Sequence, residues 1–91
     1  MKELLDLLFK KAGITREEVE KPIVVHAEPY GKGTFFAGIF LLKDGKYLAI
    51  KGLGEKPNGT TRLHWSLGSF ALIFYRTSEE ISGDFILTKP T

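Results

Sequence analysis

His26 and His64 are the chain's two histidines, and they raise the first question about chemistry. One imidazole can act as base while another acts as acid near neutral pH. With Lys51 on the developing charge, the three would suffice for metal-independent phosphodiester cleavage, an RNase-like reaction. Nothing in their spacing brings them together. His26 and Glu28 stand two residues apart on one strand, so they share a face, but metal ligation wants a third ligand at a tighter spacing. Strand histidines more often pack or hydrogen-bond than ligate. With no cysteine in the chain, zinc-thiolate sites, disulfides and cysteine nucleophiles are excluded. No metal and no cofactor is expected.

Other catalytic patterns are missing. Ser66, Ser69, Ser78 and Ser82 lie in no Gly-x-Ser-x-Gly elbow. The stretches 30–34 and 52–56 carry glycine and lysine but do not match a phosphate loop, and each joins strand to strand.

A second reading is single-stranded nucleic-acid binding. Lys32, Lys43, Lys46, Lys51, Lys56 and Arg62 are interleaved with Tyr30, Tyr47 and Trp65. Small β domains bind single strands through stacked aromatics and a basic groove. Against it, Asp44 and Glu55 fall in the same stretch, and a formal charge of +2 offers little counterion release. The favoured reading is a non-catalytic binding or regulatory module whose partner is a protein, including a second copy of itself. Its expected contact residues are Tyr30, Lys32, Phe36, Ile39, Tyr47, Lys51, Lys56 and Arg62. A charge at Phe36 or Ile39 is expected to break a dimer or unfold the chain.

The elements that must position these residues follow from periodicity. The chain has 91 residues, one domain's worth, with 43% apolar and 26% charged residues, as in an ordinary globular protein. Leu4, Leu5, Leu8, Phe9 and Ala12 share one face at 3.6 residues per turn, which predicts a helix over 2–12. Asp6 and Lys10 pair across its outer side, and Gly13 closes it. Thr15 and Glu18 read as a capping box opening a short second helix, ended by Pro22.

From Ile23 on, strand signals dominate. Strands are predicted over 23–28, 34–42, 47–53, 60–67, 70–76 and 84–88, with turns at 29–33, 44–45, 54–59, 68–69 and 78–83. Lys43-Asp44-Gly45-Lys46 is the clearest hairpin turn. In 34–42 both faces are apolar: Phe36, Phe40 and Leu42 on one, Phe35, Ala37, Ile39 and Leu41 on the other. One helical layer cannot cover both, so the sheet must close, be covered, or meet another chain. The expected fold is α+β, an N-terminal helical hairpin (1–21) packed on a bent antiparallel sheet of five or six strands (22–91), able to close toward a barrel. No apolar run approaches the ~20 residues of a membrane helix. No signal-peptide core is seen, so the expected address is the cytoplasm, without membrane contact.

Overall fold

The computed structural model of the chain describes residues 2–55 and 66–81. Within them the fold is α+β, one helix packed on a four-stranded antiparallel sheet. Helix α1 spans Lys2–Ala12, matching the sequence expectation. Gly13 takes φ +76, and two bonds close the end: Gly13 N–H to the Lys10 carbonyl and Ile14 N–H to the Phe9 carbonyl, both 3.1 Å. This is a Schellman cap, and a Cβ would disfavour its left-handed residue.

The second helix of the expected hairpin does not form. Arg16–Glu18 make only a 3₁₀ turn. The Glu18 carboxylate does accept from the Thr15 backbone N–H (3.2 Å) and hydroxyl (3.3 Å). Beyond this turn, Val19 already belongs to a strand. β-Branched Val19 and Pro22 favour extended backbone, and Glu18's carbonyl accepts the Lys43 N–H at 2.8 Å. The cap nucleated one turn, and the sheet took the rest. Asp6, expected to pair with Lys10, instead meets the Arg16 guanidinium at 2.6 Å, tying that turn back to α1.

Strand β1 spans Val19–Tyr30, β2 Gly33–Leu42, β3 Tyr47–Glu55 and β4 Ser66–Tyr75, and they lie side by side in that order. The described sheet is open, with four strands rather than five or six. One reason is that Gly68-Ser69, expected as a turn, lies within continuous β4, where the extra residues are absorbed as an irregularity opposite Gly52–Gly54. The rest of the predicted strand 60–67, and strand 84–88, lie outside the described residues. The β2–β3 hairpin forms as expected. Leu42 N–H donates to the Lys46 carbonyl (2.8 Å), Lys46 N–H to the Asp44 carboxylate (2.9 Å), and Gly45 sits at φ +90.

The larger core cluster lies between α1 and one sheet face. Leu4, Leu8 and Phe9 meet Phe36, Phe40, Leu42, Leu48 and Ile50, all buried. The rings of Phe9 and Phe40 pack edge to face, 5.0 Å between centroids and 74° between planes. Gly52 lets the helix approach, since a Cβ there would stand 2.9 Å from a Leu8 methyl. On the opposite face Phe35, Ala37, Ile39 and Ala49 are also buried, and Tyr47, Tyr75 and Ile81 pack around Ile39 and Ala49. Both faces of β2 and β3 are therefore core.

Candidate functional site

Register places the chemistry-bearing residues. His26 pairs with Ala37, Ala37 with Lys51, and Lys51 with Ala71, so these four form one row across the face opposite α1. His26 and Lys51 are two strand spacings apart, about 10 Å along that row. His26 Nε2 lies 3.6 Å from a Glu28 carboxylate oxygen, and its ring stands edge-on to Phe35 at 6.0 Å. Both His26 and Glu28 are half-buried. Lys51 is buried, and loss of hydration pushes its ammonium below the usual lysine pKa. His64, the third member of the acid–base reading, lies outside the described residues. Among the described residues no three His, Cys, Asp or Glu side chains group as a metal site.

The residues of the basic and aromatic stripe are spread out. Tyr30 and Lys32 flank the β1–β2 turn, where Gly31 takes φ +58. Tyr47, Lys43 and Lys46 lie at the other end of the sheet, around the β2–β3 hairpin. Seven residue steps along β3 lead from Tyr47 to Gly54, which pairs with Thr34 beside the first turn, and that is about 23 Å of strand. Lys56 and Arg62 lie outside the described residues. Phe36 is sealed beneath α1, 1% exposed, and Ile39 is 8% exposed on the other face. A charge at Phe36 would thus act on folding.

Exposure collects elsewhere. Among the described residues the exposed large apolar side chains are Ile23, Val24, Val25 and Tyr30 on β1, and Phe70, Ile73 and Phe74 on β4. The outer strands carry them; the inner two carry none. Strand order makes β4 an edge of the described sheet. The helix explains part of the pattern. Its backbone runs nearest β3 and β4, leaving a cleft of about 290 Å³ toward β1 that is lined by apolar side chains, Leu5, Val25 and Phe40 among them, and by Arg16, Glu20 and Lys21.

Comparison of the chain with protein-family models, with curated proteins and with solved structures finds no match. No helix among the described residues is long and apolar enough to cross a membrane.

Proposed function

We propose that this chain is a small binding or regulatory module that works through protein–protein contacts, without catalysis. The observation supporting this reading is the segregation of exposed apolar side chains onto the two outer strands, β1 and β4. Exposed apolar residues scattered singly are ordinary, whereas contiguous ones at a sheet edge favour association. The absence of cysteine suits a reducing compartment, and on that ground we assign the module to the cytoplasm.

The test is capture of partners on the tethered protein, with and without nuclease, at 50 and 500 mM salt. A protein partner that survives both treatments, and is lost with Val25→Glu or Phe74→Lys, supports the reading. Loss with nuclease, or a steep fall with salt, transfers the case to single-stranded nucleic acid, because phosphate contacts release counterions. RNA cleavage by the wild type, abolished by His26→Ala and by His64→Ala in folded protein, transfers it to the RNase-like reaction.

A further inference from the structure

We propose that β4, an outer strand of the described sheet, is self-complementary, and that two copies of this chain join there by antiparallel β4–β4 pairing about a two-fold axis at Leu72. This rests on the protein-binding reading above and names one surface and one partner for it.

The hydrogen-bond phase of the sheet carries the argument. Leu42 N–H donates toward β3, at the Lys46 carbonyl, and Lys43 N–H donates toward β1, at the Glu18 carbonyl. Backbone groups alternate along a strand, so even-numbered β2 residues bond β3 and odd-numbered ones bond β1. Carried through the register, odd-numbered Ala71, Ile73 and Tyr75 of β4 bond β3. The N–H and C=O groups of Phe70, Leu72 and Phe74 therefore point away from the sheet. The same phase on β1 directs Pro22 and Pro29 outward, because they pair with even-numbered Phe40 and Thr34. Proline has no N–H to offer, so β1 is blocked at both ends, and β4, with no proline, is not.

The two-fold at Leu72 sets Phe70 opposite Phe74 of the second copy, and Phe74 opposite its Phe70. These are the two exposed aromatic side chains of β4, 41% and 44% exposed. On the reverse face the same register sets exposed Ile73 opposite Ala71. Centring on Phe70 would leave Phe74 facing Ser66, and centring on Phe74 would set Leu72 against Arg76. Ser66–Tyr75 holds no charged residue, so two identical strands oppose no like charges. On β1, with Glu20, Lys21 and Glu28, the equivalent pairing centred on Val24 would set Glu20 against Glu28. About six ladder bonds and two aromatic pairs would form. Pairing along one short strand is a small contact, so the dimer is weak and reversible.

Sedimentation from about 2 to 500 µM tests it, with circular dichroism as the check on folding. The wild type should pass from 10.2 kDa toward twice that mass. Phe74→Lys should weaken association about tenfold or more, and Phe70→Lys/Phe74→Lys should leave a monomer. Phe70→Glu/Phe74→Lys should restore the dimer, since the introduced carboxylate then faces the introduced ammonium of the other copy. A strict monomer at all concentrations overturns the proposal, as does a dimer indifferent to Phe70→Lys/Phe74→Lys. Slow exchange of the Leu72 amide in dilute monomer also overturns it, since the chain would then cover its own edge. A monomer that still captures a different protein overturns the pairing while leaving the binding-module reading intact.

Discussion

The two outer strands of the described sheet expose similar amounts of apolar side chain and treat their backbones in opposite ways. β1 is twelve residues long, carries Glu20, Lys21 and Glu28, is irregular at two places against β2, and turns two prolines outward. These are the devices by which proteins keep an edge from templating another strand. β4 has ten residues, no charge and no proline, and its irregularity lies before Phe70. What β1 offers is side-chain surface beside a cleft, while β4 offers backbone. Exposure alone would have ranked them together, so it is the hydrogen-bond phase that tells a guarded edge from an open one.

The helix is the first place to break this comparison. Leu8 is fully buried above Gly52, on the β4 side, so Leu8→Ala should cost about 2–5 kcal/mol in denaturant unfolding. Leu5 lines the cleft toward β1 and is half-buried, so Leu5→Ala should cost clearly less. Equal losses would mean that α1 covers both sides alike.

The prolines sharpen the contrast. Pro22→Thr/Pro29→Thr restores two outward N–H groups on β1. Removing the ring restriction from the unfolded chain should lower stability by about 0.4–1 kcal/mol per site. In the Phe70→Lys/Phe74→Lys background it should also bring back concentration-dependent association, now through β1. A background that stays monomeric would show that charge and irregularity guard β1 without proline.

The smallest effect concerns pH. Burial lowers the pKa of Lys51 in the folded state below the usual lysine value. Between the folded and unfolded pKa values the unfolded chain binds more protons, so stability should rise with pH through that window. The penalty for burying the ammonium is full below the folded pKa. Lys51→Met should remove the rise, and identical alkaline profiles for variant and wild type would show that Lys51 contributes none of it.

Local physics made much of the chain legible. The bounds of α1, the left-handed Gly13, the β2–β3 hairpin and the two apolar faces of β2 all follow from residues within a turn or a pleat of one another. His26 and Glu28 on one face followed from the same alternation. The capping box predicts a second helix because it is a local signal, and the long-range bond from Lys43 to Glu18 overrides it. Gly68-Ser69 looked like a turn for a similar reason: glycine and serine punctuate chains unless a neighbouring strand holds them extended.

The sequence by itself therefore determined the α+β character, the helix and its cap, and which residues of a strand share a face. Each depends on side chains a few positions apart. Only the tertiary structure decided which face of β2 lies under α1, that β1 and β4 are the outer strands of the described sheet, and which backbone groups turn outward. Those depend on strand order and pairing register, set by contacts between residues such as Ala37 and Lys51 that are distant in the chain, and local periodicity carries no trace of them.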